Sequence, residues 1–303
     1  MKTTTKQPNN QTTEQPNNRT TKLTAVKTST KQMLLGLIPA LAMMCFQHDA
    51  MADLATVDLG TADNFAVLAG SGITVAGAVN TSTINGDIGT YPTPAVTGSG
   101  NMVLNGVDQT LNSSLMSIAK NDLSAAFTDA AGRPATTTYA PATDLGGLTL
   151  TSGVYNDSSS FGLTGVLTLD AQDDPNAVFI IQAGSSLITA SDSSIILMNG
   201  AQACHIFWVV GSSATLGTGS DFMGTILALT SITANTGATV DGRLLAENGA
   251  VTLDDNTITK AVCNTSAASV PEPTTVIAGM LLLLPFGTTA LRMLRQKRGT
   301  PSV

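Results

Sequence analysis

Between Phe207 and Lys260 the chain nearly repeats itself at a step of about eighteen residues. A period of this kind belongs to a solenoid, in which one turn cannot bury its apolar side alone and stacks on its neighbours. The phrases SSATLGTGSDF, TSITANTGATV and GAVTLDDNTIT bring Thr215, Thr233 and Thr252 to equivalent places. Phe207/Val209, Ile226/Leu227 and Leu244/Leu245 recur together, as do Ala214, Ile232 and Val251, so these are the expected core-facing positions of successive rungs. Side chains alternate across a strand, so the threonine after each of Ala214, Ile232 and Val251 is expected to face solvent. Stacked at the sheet spacing of roughly 4.7–4.9 Å, the three form a file of hydroxyls and methyls. Thr236 and Thr239, with Thr218 and Thr257, are expected to extend that file into a patch. Threonine is also a good strand former, so a file of it is compatible with strand propensity and solubility alone.

The ends of the chain have another character. Lys22, Lys27 and Lys31 precede the apolar run 33–46, and Ala50-Met51-Ala52 offers small residues for cleavage. That order is a secretory signal peptide with a long polar leader, cut after Ala52, and the run is short for a membrane span. A lipoprotein at Cys45 is disfavoured, because Ala42-Met43-Met44 lacks the small residues expected before such a cysteine. At the other end Val270-Pro271-Glu272-Pro273 leads into a mostly apolar stretch, 274–291, and then Arg292, Arg295, Lys297 and Arg298. Basic residues after an apolar segment stay in the cytoplasm, which places the preceding domain outside the inner membrane. The expected organisation is therefore a signal segment 1–52, a single domain 53–265 and a C-terminal segment 266–303. The last resembles the PEP-CTERM sorting signal of Gram-negative bacteria. That resemblance implies an exosortase-type sorting enzyme and the inner membrane as partners, with the domain exported to the cell surface or beyond. An ordinary single-pass anchor, the alternative, also places the domain outside.

Charge and cysteine content then narrow the function of the middle part. From Asp53 to Val270 the basic residues are Lys120, Arg133, Arg243 and Lys260 against eighteen Asp and Glu, a net charge of 4 − 18 = −14. Nucleic acid would repel such a domain, since its recognition needs cations to neutralise phosphates. Cys204 and Cys263 flank the repeated block in what is expected to be an oxidising compartment, so a bridge between them is expected to staple its beginning to its end. Closing a loop of about sixty residues contributes roughly 4 kcal/mol in the chain-entropy model. With no CxxC spacing, and with His205 as the one histidine of the domain, no metal or other cofactor is expected.

Residues 59–94 read as short strands broken by glycine and asparagine turns. Asp108 is expected to cap a helix running to about Ala131, with Leu111, Leu115, Ile118, Ala119, Leu123, Ala126 and Phe127 as its apolar stripe and Gly132 and Pro134 ending it. Such a helix in a β chain is expected to lie along the solenoid and cover one side. After Leu145 short strands resume and continue to Thr259.

The segments LGTADNFAVLAGSGIT (59–74) and INGDIGT (84–90), with the long stretches 152–187 and 201–259, resemble the microbial ice-binding protein family. The resemblance covers almost all of Asp58 to Cys263. It implies a mainly β fold, a discontinuous right-handed β-solenoid with one long α-helix alongside, and adsorption to an ice surface through a flat Thr/Ser-rich face. Some members carry Thr-(Ala/Gly)-x-(Thr/Asn) on that face; Thr233-Ala234-Asn235-Thr236 fits it, and Thr236-Gly237-Ala238-Thr239 fits it in an overlapping register. Two departures stand out, Ile188 where a threonine would continue the file before Thr215, and Leu216 within Thr215-Leu216-Gly217-Thr218. Catalysis is the first rival. It needs converging acid and base groups, whereas Asp173-Asp174 reads as a turn, neighbouring carboxylates on a strand face opposite ways, and a Ser/His/Asp set would require His205. An adhesin of the cell surface or exopolysaccharide matrix needs only an exposed β face, and stands as the second rival.

Overall fold

The computed structural model describes residues 54–264. Glycine- and asparagine-rich corners cut the chain into strands mostly of three to five residues. Each turn lays down three of them in a fixed order, and every named pairing is parallel. The result is a prism with three sides. The threonine face stacks Phe161–Leu163, Leu187–Thr189, Ala214–Leu216, Ile232–Ala234, Ala250–Asp254, Gly72–Ala76 and Val96–Thr97 as one seven-stranded sheet. The third face runs from Thr149–Leu150 through Val166–Asp170 and Ser194–Met198 to Thr257–Thr259, Ser82–Asn85 and Met102–Asn105. The helix face contains Gly153–Asp157, Phe179–Ala183, Ile206–Val210, Phe65–Ala69 and Asp87–Thr90. Two longer strands, Asp221–Ala228 and Thr239–Ala246, turn the corner from the third face to the helix face. They do so at Gly224, with φ of 108°, and Gly242, where an added Cβ would lie 1.8 Å from the Gly224 carbonyl oxygen. Only glycine permits this stacking.

Stack order and chain order differ. Phe65–Ala69, Gly72–Ala76 and Ser82–Asn85 pair with Thr239–Ala246, Ala250–Asp254 and Thr257–Thr259, so the first strands of the chain sit on the last. After Asn105 the chain must return to the far end, where Thr137–Thr138 pairs with Gly153–Asp157. The helix α1, Ser113–Gly132, makes that return. Its 20 residues span about 30 Å at 1.5 Å per residue. The seven strands from Asp87–Thr90 to Gly153–Asp157 on the helix face span six spacings, about 29 Å.

Two apolar cores follow. Inside the prism Trp208, Ile226 and Leu244 stand in register with Phe222, Ile232, Val251 and Ile258 nearby, all buried. Between prism and helix, Leu68, Val154, Ile180, Phe207, Val209, Leu227 and Leu245 meet the buried Met116, Ala119, Leu123, Ala126 and Ala130. The sequence expectation that Phe207, Val209, Leu227 and Leu245 face the interior is thereby corrected. They are buried, but under α1, and Phe207 is level with Thr225 and not with Ile226. The helix start is corrected as well. Asn112 is the cap, accepting from the Leu115 N–H at 3.3 Å, whereas Asp108 forms an isolated bridge with Ile88. The expected stripe is rotated, so that Leu111 and Ile118 are exposed at 91% and 53% while Met116 and Ala130 are buried.

Polar ties fix α1 at three heights. Lys120 Nζ donates to the Ala246 and Glu247 carbonyls at 2.7 and 2.5 Å, Asp122 accepts from the Thr61 N–H at 2.7 Å, and Gln182 Nε2 donates to the Ala130 carbonyl at 2.8 Å. Burial presses the Lys120 ammonium down to about 8, with Glu247 opposing the shift.

Candidate functional site

The threonine face is built from one local pattern, a small residue, an apolar residue, an outward threonine and a second inward residue. It reads SATL at 213–216, SITA at 231–234 and AVTL at 250–253. Parallel pairing places Thr215 beside Thr233 and Thr233 beside Thr252, with the flanking Ala214, Leu216, Ile232, Ala234, Val251 and Leu253 buried. The file does not stop there. Thr252 is paired with Thr74, and Thr74 with Thr97, both exposed. Five threonines thus stand in register at roughly 4.8 Å intervals. Repeat-based reasoning missed Thr74 and Thr97, although GITV at 72–75 carries the same pattern and AVT at 95–97 its first three positions.

The file ends at the opposite side where expected. Ile188, 56% exposed, pairs with Thr215, and Gly162 pairs with Ile188. A second column runs beside it toward the helix face. Ser160, Ser186, Ser213 and Ser231 each directly precede an inward residue of a threonine-face strand, and Ser160 Oγ and Ser213 Oγ accept from the Ser186 and Ser231 N–H groups at 3.2 and 3.3 Å.

The remaining threonines separate into two groups. Thr218 and Thr236 lie in the turns between the threonine face and the third face, both exposed, and the Thr236 hydroxyl donates to Asp254. Thr239 and Thr257 pair with one another on the third face. The expectation that they widen the patch is corrected. The strand turns the corner between Thr236 and Thr239, so residues close in sequence emerge on different sides.

Hydroxyl chemistry distinguishes the two faces. Among the described residues, none of the Thr74, Thr97, Thr215, Thr233 and Thr252 hydroxyls has a hydrogen-bond partner in the protein, so all five are free to engage water. On the third face Thr239 Oγ1 donates to Asp221 at 2.6 Å, Asn85 donates to Thr259 at 2.9 Å and Asn105 donates to Asn85 at 2.8 Å. That bonding is partial, since Thr257 and Thr83 pair in register there and their hydroxyls have no partner among the described residues. The neighbouring carboxylates Asp221 and Asp241 add like charge, and burial with that repulsion raises the Asp241 pKa.

The acidic pairs considered for catalysis are engaged in turns. Asp174 accepts from the Asn176 N–H at 2.9 Å, Asp173 has a φ of 67°, and Asp254 and Asp255 accept from Thr236 and Thr81. Cys204 and Cys263 form a disulfide with Cα atoms 5.5 Å apart, and His205 Nε2 lies 3.3 Å from Cys263 Sγ. With each sulfur bonded to the other, this Cys-His-Cys group offers no thiolate to a metal.

A parallel β-prism with a helical strut and a five-rung file of threonines unpartnered among the described residues defines the class of scaffold. The Ice-binding-like family model matches residues 67–259. The chain belongs to that family. It is 46% identical over 246 residues to an ice-binding protein of Nostoc sp. (strain HG1), covering 80% of this chain and 88% of that one. To an ice-binding protein of Colwellia sp. it is 38% identical, covering 73% and 91%. A crystal structure of an ice-binding protein from the Antarctic ascomycete Antarctomyces psychrotrophicus superposes with a TM-score of 0.64 at 43% identity, covering 69% of this chain and all of that one. No helix among the described residues is long and apolar enough to cross a membrane. The expected signal and sorting segments lie outside the described residues.

Proposed function

We propose that the protein adsorbs to ice through the threonine face, pinning the ice front so that growth or recrystallisation is inhibited, with no bond made or broken. The observation that carries this reading is the run of five in-register threonines with hydroxyls unpartnered among the described residues, on a face whose file holds no charged side chain, whereas the third face is interrupted by the carboxylates Asp221 and Asp241 and by mutually bonded groups. A rigid array of hydroxyls and methyls holds water in a fixed arrangement before contact, which lowers the ordering cost of engaging a solid. The names of the relatives support the same activity.

The test is Thr233→Tyr, which puts a bulky ring at the middle of the file. Thermal hysteresis is expected to fall sharply while the melting temperature stays unchanged, and Thr168→Tyr, on the third face, is expected to retain full activity. Undiminished hysteresis in Thr233→Tyr would move the ice contact to another side.

Export and retention complete the proposal. The order of VPEP, apolar run and basic tail supports processing by an exosortase-type enzyme at the inner membrane of a Gram-negative bacterium, and the N-terminal segment supports secretion. Deleting residues 270–303 is expected to shift the protein from the cell surface to the medium. An unaltered distribution between surface and medium would refute the sorting role.

A further inference from the structure

Successive turns pass from helix face to threonine face to third face, so the edge between third and helix faces lies opposite the threonine file. Both ends of the domain come to that edge. Cys204 lies between the third-face strand Ser194–Met198 and the helix-face strand Ile206–Val210. The last described residues run back along it. Arg243 Nη2 donates to the Ala261 carbonyl at 3.2 Å, Cys263 is bonded to Cys204, and the Asn264 N–H donates to Gln202 at 2.7 Å. Thr56 and Val57 line the same cleft of about 570 Å³ as Val262 and Cys263.

We propose that this edge is the attachment side of the molecule and that the Cys204–Cys263 bridge makes the domain an ice-adhesion device able to carry tension. A chain held to the cell through its C-terminal segment then presents the threonine file outward. The inference rests on the surface retention proposed above.

The bridge matters because of how a solenoid fails. Each rung touches only its neighbours, so tension entering at residue 264 would, without the bridge, fall first on Thr257–Thr259, held between Thr239–Ala246 and Ser82–Asn85, and then draw out the strands that precede it in the chain one after another. With the bridge, tension enters at Cys204 and Cys263 together. Thr215, Thr233 and Thr252 all lie inside the closed loop, which has no free end to peel, and force from those rungs reaches the tether by two chain routes.

The test uses cells displaying the full chain, adsorbed to an ice wall under rising shear. Wild-type cells are expected to hold, and Thr233→Tyr cells not to adsorb at all. The double variant Cys204→Ser with Cys263→Ser is expected to adsorb at rest and to detach at a several-fold lower shear, while protein shaved from those cells keeps wild-type hysteresis. Equal detachment shear for the wild type and the double variant would overturn the mechanical role. If the double variant loses hysteresis when shaved, wild-type cells adsorbed first and then treated with a membrane-impermeant phosphine reductant supply the comparison, with the same two outcomes. Cells that carry the chain but fail to adsorb, although shaved protein shapes ice, would overturn outward display alone. Finding all of the chain in the medium would instead overturn the retention on which the inference rests.

Discussion

A threonine on a strand can serve the fold or the solvent, and its hydroxyl partner decides which. Thr239 donates to Asp221 and belongs to the internal ladder of its face, whereas Thr74 has an exposed side chain and no partner among the described residues. Thr74→Tyr is therefore expected to reduce thermal hysteresis about as much as Thr233→Tyr, and Thr239→Tyr to leave it intact. The changes at Thr74 and Thr233 are expected to alter stability by less than about 0.5 kcal/mol, and that at Thr239 by more through loss of its bond to Asp221, so nanolitre osmometry paired with a melting curve separates surface from fold. If Thr74→Tyr retained full hysteresis, the active file would be confined to the repeated block. The central file was legible in sequence only where the repeat is contiguous. Thr215, Thr233 and Thr252 fall at a regular step, while Thr74 and Thr97 join them through pairings between distant parts of the chain. The grouping of Thr239 and Thr257 with the file failed for a geometric reason. A solenoid corner sits between residues three apart, and linear proximity carries no information about which side of a corner a residue occupies.

At the scale of elements, the helix was visible as a break in the strand pattern, and its role as a cover followed from its amphipathic composition. Its facing was not. Leu111 and Ile118 are apolar yet exposed, and the buried stripe is mostly small, Ala119, Ala126 and Ala130 with Met116 and Leu123, because α1 packs closely on a sheet already dense with Phe207, Val209, Leu227 and Leu245. Lys120 shows what that close packing costs. Its folded pKa of about 8 lies below the ordinary 10.5, so the buried charge opposes folding most fully below pH 8, and the opposition is relieved as pH rises from 8 toward 10.5. The stability of the wild type relative to Lys120→Met is therefore expected to rise across that window. Urea midpoints for both proteins at about pH 7 and about pH 10 measure it, and a constant difference would show that the ammonium carries no such penalty.

For the whole molecule, the bridge expected from cysteine position is present, and it closes a separation of 59 residues. Reduction is expected to lower stability by roughly 4 kcal/mol, read as a shift of the guanidinium midpoint. A midpoint insensitive to reductant would mean that the other contacts already hold that end of the stack. The parallel sheets and the long helix of the described residues were legible because the period and the break in it are local signals. The placement of the N-terminal strands on the C-terminal ones was not legible from the repeat, since it is a pairing between opposite ends of the domain. That arrangement, with α1 as the one return path, constrains how the molecule can change in size. An open solenoid gains ice-contacting surface by adding a turn, but here an added rung lengthens the stack by about 4.8 Å and the strut must follow by about three residues. Duplication of a repeat alone would leave the helix too short to reach the far end. The length of the threonine file is thus set by a helix that lies on a different side of the prism.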